Sequence, residues 1–323
     1  MEIYSIDIGG SSIKHGLINV DEKHFDITEN MPVIYLKTRS FSEIREQVIF
    51  LVQAHANRIG KRINVAISTT GGVSRSGLVW SAGHFKDYIN IDWQLILQTE
   101  LPTLIGKVFT VNDGKASTWA EYQSVGIGTE VFVHFVVGTG VGGGIVCFER
   151  LLYGDEETAG GLGHMKVGGE SELVCSCGRK GCVEPLASSQ AISRYFGKLV
   201  QTKNNQNKTQ PTFEETFNAA RSGVHEALKA FEIAGEWLGV AMSNIINILN
   251  PKYITVGGGV ILASDKLSSD KGGPYLASAI RRSHELAFKD IGKETIIRPA
   301  STGNNGGILG AALLCSSAII NKS

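Results

Sequence analysis

His164 and the run Cys175-Ser-Cys-Gly-Arg-Lys-Gly-Cys182 constrain this chain more than any other feature. Three thiolates spaced Cys-x-Cys-x4-Cys, with one imidazole upstream, make a complete soft tetrahedral donor set for zinc. Cysteines are often simply buried, but a lone His with three closely spaced Cys favours a metal. Four protein ligands leave no open position, so a zinc on His164, Cys175, Cys177 and Cys182 is structural. Such an ion would brace its neighbours, above all Glu184, two residues past the last cysteine. His164 needs one ring nitrogen for the metal, and the other can donate to a ligand oxygen.

The 323 residues suffice for one large or two medium domains with real cores. The formal net charge is zero, which supplies no electrostatic attraction to nucleic acid or to an anionic membrane. No apolar run is long enough to span a bilayer, and no basic stretch leads into an apolar h-region at the N-terminus, so a cytoplasmic location is expected. Cys147 and Cys315 lie in apolar stretches and are expected to be buried free thiols, a pattern suited to a reducing compartment.

Strands are expected at Ile3–Ile8, Ile13–Val20, Val65–Ser68, Val108–Val111, Val131–Val137, Ile145–Phe148 and Tyr253–Val256. Helical periodicity marks residues 42–60, Ala116–Tyr122, a central helix carrying Ile233, Trp237, Ala241, Ile245 and Leu249, and a small apolar helix over Gly307–Ile320. The polar segment Gln201–Gln210 is expected to be a surface loop. Strands interleaved with helices indicate an α/β protein, in which ligands sit beyond the carboxyl ends of strands.

Two glycine-rich turns lie where a ligand is expected. Asp7-Ile-Gly-Gly-Ser-Ser12 offers backbone N–H groups and two hydroxyls to a phosphate, and Asp7 could organise a hydrated Mg²⁺. Gly138-Thr-Gly-Val-Gly-Gly-Gly144 leads into a strand rather than a helix, which argues against a Rossmann dinucleotide site. Each turn, alone, is also what a plain hairpin requires; two in one chain raise the odds of a nucleotide straddled by two hairpins. Gly257, Gly258 and Gly259 are a third approach point, equally readable as the turn that starts a helix. Asn112-Asp113 closes a buried strand: the carboxylate could take a proton from an attacking hydroxyl while the amide holds another hydroxyl, or Asp113 could cap the next helix.

Together these residues resemble the ROK family of sugar kinases and repressors, within the actin-like ATPase group. The resemblance runs from Asp7-Ile-Gly-Gly10 to Gly310-Ala-Ala312. It is most specific at Gly163-His164 followed by Cys-x-Cys-Gly-x-x-Gly-Cys-x-Glu, ending at Glu184. It implies an α/β, two-domain actin-like ATPase (ribonuclease H-like) fold with an interdomain cleft. A smaller domain over residues 1–112 would be completed by a C-terminal helix at about 306–321, and a larger one over 113–305 would hold the zinc segment 164–184. ATP with Mg²⁺ is implied against Asp7, Gly9, Gly10, Ser11, Ser12, Gly138, Thr139 and Gly140, with Gly257, Gly258 and Gly259 near the nucleoside. The sugar would contact Gly71, Asn112, Asp113, His164 and Glu184. Asp113 would be the general base for a sugar hydroxyl, usually the 6-hydroxyl in this family. A homodimer or homotetramer is also implied.

Two departures bear on the substrate. Where the family usually reads Glu-x-Gly-His, this chain reads Gly161-Leu-Gly-His164, with Glu156 and Glu157 upstream but out of register. Losing that carboxylate removes a charge-assisted hydrogen bond of about 1.5–3 kcal/mol and opens space. The expectation is a hexose or N-acetylhexosamine substituted on its C1–C2 side, by an N-acetyl or glycosyl group. The frequent Pro-Gly of the family is here Thr70-Gly71. The alternatives are a non-catalytic sugar sensor or regulator, and a kinase for a glycoside or one using polyphosphate. Family repressors carry an added N-terminal helix-turn-helix, and with a first strand at Ile3 none is expected here.

Overall fold

The computed structural model describes residues 1–21, 24–38, 40–81, 85, 87–168, 173–204, 210–288 and 294–320. These divide into two compact units. The first comprises Met1–Ser124, Leu151–Ala159 and Asn305 onward; the second comprises Val125–Arg150 and Gly160–Asn304.

Unit 1 begins as a hairpin of β1 (Glu2–Ile8) and β2 (Ser12–Val20), followed by β3 (Phe25–Asn30), β4 (Ile34–Tyr35) and helix α1 (Phe41–Ile59). Strand β5 (Ile63–Thr69), the short strands β6 (Gly72–Val73), β7 (Leu78–Ser81) and β8 (Ile91–Asp92), helix α2 (Trp93–Glu100), strand β9 (Ile105–Asn112) and helix α3 (Asp113–Glu121) complete its N-terminal run. The main sheet has the order β3-β2-β1-β5-β9, with β4 paired to β2, and β6-β7-β8 form a separate small sheet. The β1–β2 pair is antiparallel, whereas β1–β5 and β5–β9 are parallel. One face carries Ile6, Ile8, Ile44, Val48 and Ile67; the other is closed by Ile3, Ala66, Ala116, Ile308 and Ala312.

Unit 2 repeats the same strand logic. Its elements are β10 (Val131–Val137), β11 (Val141–Cys147), β12 (Arg150–Leu151), α4 (Glu184–Ala187), α5 (Ser189–Asn204), α6 (Phe213–Arg221), α7 (His225–Leu249), β13 (Tyr253–Gly257), α8 (Gly259–Ser264), α9 (Gly273–Leu286) and β14 (Ile296–Pro299). Strand order is β12-β11-β10-β13-β14, with an antiparallel β10–β11 hairpin and parallel β10–β13 and β13–β14 pairs. Both units thus open on a glycine-tipped hairpin and add parallel strands to its first strand.

The last helix, α10 (Gly306–Ile320), belongs to unit 1. Ser5 Oγ donates to Ile308 O at 2.7 Å. A Cβ on Gly310 would lie 1.7 Å from Ala116 O, and one on Gly307 would lie 2.6 Å from the Asp7 carboxyl carbon. Glycine is therefore what lets α10 lie directly on α3 and on the end of β1.

Five sequence expectations are corrected. Strand β11 starts at Val141 rather than Ile145, because Gly142, Gly143 and Gly144 pair with Val136, Phe135 and His134 instead of forming a loop. Phe148 leaves the strand, in a left-handed turn at φ 49°. The helix expected from Ala116 starts at Asp113, since Asn112 caps it by accepting from Lys115 N at 3.0 Å. In α7 the buried face runs through Phe231, Ala234, Leu238, Ala241 and Ile245, with Ile233 and Trp237 only half-buried. Of the polar 201–210 segment, residues 201–204 continue α5 and 205–209 lie outside the described residues. Cys315 is buried as expected, but Cys147 is only half-buried. No described helix is long and apolar enough to cross a membrane.

Candidate active site

In unit 1, the carboxyl ends of β1, β5 and β9 bring Asp7, Ser68, Gly71, Asn112 and Asp113 into one neighbourhood. Ser68 Oγ donates to Asp7 Oδ1 at 2.7 Å. Burial raises the Asp7 pKa, against the opposing effects of Lys14 and Ser68. Asp113 sits at the first position of α3, where its Oδ1 accepts from Gly114 N at 2.8 Å and Asn112 Nδ2 at 3.0 Å. Burial, and then the charge of Asp7, lift the Asp113 carboxyl to about 7. A carboxylate with that pKa is poised to take a proton near neutrality.

Asn112 works harder than its expected role. Its Oδ1 caps α3 through Lys115 N, and its Nδ2 also donates to Gly71 O at 2.8 Å. The amide thus ties the Thr70-Gly71 turn to the candidate base, with both N–H groups engaged inside unit 1. The loop of Gly9, Gly10 and Ser11 is the tip of the β1–β2 hairpin, closed by Gly9 N donating to Ser12 O at 2.9 Å.

In unit 2, His164, Cys175, Cys177 and Cys182 come together as expected, with one ligand atom from each and all four within 4.8 Å of one another. Cys177 and Cys182 sulfurs lie 3.8 Å apart, and Cys175 Sγ is 3.4 Å from His164 Nδ1. A tetrahedron with zinc–sulfur arms of about 2.3 Å and a zinc–nitrogen arm of about 2.0–2.1 Å has edges of roughly 3.8 and 3.5 Å, so the donor set fits the ion. The backbone is folded for it: Gly178 N donates to Cys175 O at 2.8 Å and Cys175 N to Arg179 O at 2.9 Å. Burial pushes the Cys175 thiol up to about 12, so taking up a zinc ion there would release a proton. With Nδ1 facing the sulfurs, Nε2 of His164 is the nitrogen left for another partner.

Glu184 opens α4 directly after this knuckle. Its Oε1 accepts from Ser176 Oγ at 2.5 Å, and its Oε2 accepts from Val141 N at 3.3 Å. A Cβ on Gly140 would lie 2.5 Å from Oε2, so that glycine is what lets the second hairpin tip and the carboxylate meet. At this tip Gly138 N donates to Gly140 O at 2.9 Å, and Thr139 is exposed. Gly257, Gly258 and Gly259 join β13 to α8. Gly258, at φ 95°, has no room for a Cβ, which would fall 2.3 Å from Val137 O. Gly257 and Gly258 border a cavity of about 230 Å³ that also includes Ile261, Asp265, Lys271 and Ala300.

Several residues of these neighbourhoods carry no motif that marks them in the sequence. Ser68 was recognisable as the polar end of a strand. Gly307 sat in a helix read only as small and apolar. Asp265 and Lys271 carried no pattern that set them apart from ordinary surface charges.

The ROK family model matches residues 3–318, and the chain belongs to the ROK family. It is 27% identical over 330 residues to a glucokinase of Halalkalibacterium halodurans, covering 96% of this chain and 93% of that protein. It is 29% identical over 318 residues to an N-acetylmannosamine kinase of Escherichia coli, covering 97% of this chain and 98% of the other. Among solved structures, a ROK family glucokinase from Streptomyces griseus in complex with glucose and AMPPNP is similar with a TM-score of 0.78 at 23% identity, over 98% of this chain and 100% of that one. That likeness shows the fold.

Proposed function

We propose that this chain is an ATP-dependent sugar kinase that phosphorylates a hexose or N-acetylhexosamine, with Asp113 as general base. The observation that carries the reading is the Asp113 carboxyl at about 7, oriented by Asn112 and Gly114 N at the carboxyl end of β9. The names of the glucokinase and N-acetylmannosamine kinase relatives support it.

Phosphoryl transfer asks little covalent chemistry of a protein; positioning and charge neutralisation supply most of the rate. In unit 1, the attacking sugar hydroxyl, taken as the 6-hydroxyl, hands its proton to Asp113. The backbone N–H groups of Gly10, Ser11 and Ser12 would donate to the phosphates, and Asp7 would hold a hydrated Mg²⁺ that supplies positive charge against them. In unit 2, the second hairpin tip adds the N–H groups of Thr139 and Gly140 and the Thr139 hydroxyl. The cavity beside Gly257–Gly259 takes the nucleoside. His164 Nε2 and Glu184 bind sugar hydroxyls, and a structural zinc held by His164, Cys175, Cys177 and Cys182 would brace them. Gly161 favours an acceptor substituted on its C1–C2 side.

The test is ADP release from Mg-ATP with glucose, mannose, fructose, allose, N-acetylmannosamine, N-acetylglucosamine and cellobiose. Turnover with at least one sugar is expected, and its loss in Asp113→Asn with sugar binding retained. Turnover surviving in that variant would remove Asp113 as the base, and silence of the wild type across the panel would favour a sugar sensor.

A further inference from the structure

Lys115 has no part in the reading above, yet it is only 6% exposed. It follows Asp113 by two residues in the first turn of α3. Its Nζ donates to Glu157 O at 3.2 Å and lies 5.3 Å from the centre of the Tyr153 ring. A buried ammonium beside one carbonyl and one ring is a poor way to gain stability; an apolar side chain of similar length would serve better. Burial lowers its pKa, with the Glu157 charge opposing.

Glu157 is unusual in turn. It adopts φ 58°, a left-handed conformation that a glutamate takes only at a cost in backbone strain. It is held there from outside the strap. Arg75 N donates to Glu157 Oε2 at 2.8 Å, and Arg75 Nε lies 3.6 Å from Oε1. The Arg75 guanidinium also sits 5.0 Å from the centre of the Tyr153 ring. The strap from Leu151 to Ala159 closes on itself through Ala159 N donating to Tyr153 O at 2.9 Å.

These contacts join three segments of unit 1. Arg75 lies in the turn between β6 and β7. The same β6–β7 hairpin is held at its root by Asn112, which donates to Gly71 O. The start of α3 therefore grips the hairpin twice: directly through its cap Asn112, and through Lys115, Glu157 and Arg75 in series. Both grips flank Asp113, and the strap continues along the chain into Gly160 and Gly161.

We infer that Lys115, Glu157 and Arg75 form a latch that fixes the strap and the β6–β7 hairpin beside Asp113, making Lys115 a positioning residue for the sugar acceptor and not for the phosphoryl donor. The acceptor part rests on the kinase reading; the latch itself does not.

Two measurements on Lys115→Met, Lys115→Arg and Glu157→Gly test it. The first is amide hydrogen exchange of residues 151–159 in the free protein. Exchange at Ala159 should speed at least tenfold in Lys115→Met and Glu157→Gly and return toward wild type in Lys115→Arg. The second is steady-state kinetics, where KM for the acceptor should rise at least tenfold while KM for ATP stays within twofold. Glu157→Gly relieves the left-handed strain, so it should keep or gain thermal stability while still losing acceptor affinity, an outcome that a merely structural role would not give. Unchanged exchange, an unmoved acceptor KM, or equal rises in both KM values would each overturn the inference. A wild type that turns over no sugar would sink the kinase reading, and the exchange measurement would then decide the latch alone.

Discussion

The charge of Asp7 is one of the two forces that raise Asp113: burial is the larger and the neighbouring carboxylate the second, and together they bring Asp113 to about 7. Asp7 is itself raised by burial and held by Ser68. An acid near the end of β1 thereby tunes the protonation state of the one that starts α3, the residue proposed to start the reaction.

Kinetics should report this pair. A base must be deprotonated to act, so kcat/KM is expected to rise with pH through about 7. Asp7→Asn removes the repelling charge and should move that limb to lower pH, lifting activity at pH 6 about threefold relative to its own plateau. A limb that stays in place would show that Asp7 does not act on Asp113.

The same shift has a thermodynamic face. Between the ordinary carboxylate pKa and about 7, folded Asp113 binds more proton than the unfolded chain does, so its contribution to stability falls as pH rises through that window. Asp113→Asn should therefore be inactive and, at pH 8, on the order of 1–3 kcal/mol more stable than wild type. Equal urea midpoints at pH 8 would argue against a strained carboxylate.

A second pH effect has the opposite sign. Burial lowers the pKa of His15 and His55, and Arg58 lowers His55 further. His15 Nδ1 pairs with Tyr4 Oη at 2.8 Å, His55 stacks on Tyr4 at 4.3 Å, and His55 Nε2 is buried with no partner among the described residues. Unfolded imidazoles take up protons near pH 6.5, while these resist, so stability should drop as pH falls below about 6.5. His55→Phe, which keeps the stack, should flatten that loss by roughly 1 kcal/mol between pH 7.5 and 5. Urea midpoints at the two pH values measure it, and an unaltered slope would acquit His55.

The cysteine knuckle makes a separate claim. Cys177→Ser removes a donor that stands 3.8 Å from the Cys182 sulfur. Zinc content should fall well below one per chain, and the Tm should drop by about 5–10 °C. A full zinc complement in the variant, or an unmoved Tm in its absence, would end the structural-zinc reading.

Gly161 has φ −69° and ψ 55°, a conformation that does not require glycine. Gly161→Glu should then raise kcat/KM for unsubstituted glucose about tenfold, the effect of one charge-assisted hydrogen bond. No gain, or a loss, would mean that the open space at 161 is not what selects the acceptor.

The parts of the protein that could be read from its sequence are those where chemistry limits composition. Both hairpin tips, the knuckle and Asn112-Asp113 stood out because backbone exposure, metal binding and proton transfer each demand particular residues at short spacing. The start of β11 did not, because Gly142–Gly144 look like loop residues until β10 is there to pair with them. The Lys115–Glu157 contact spans 42 residues, and each partner alone looks like a solvated surface charge. The strain at Glu157 leaves no mark on its residue type. The double duty of Asn112 was hidden for a related reason: a sequence shows which groups a side chain offers, and the fold decides which of them are already taken.

The glycine face of α10 bears on how the protein is made. Ile308, Ala311 and Ala312 close the core around Ile3, Ala66 and Ala116, so β1 and β5 lack their cover until α10 leaves the ribosome. Unit 2, whose core is its own, lies between them in the sequence and ends at Asn304, just before α10 begins. Closure of the core behind Asp7 thus depends on a contact across 303 residues of chain, Ser5 to Ile308, against the usual N-to-C order of folding.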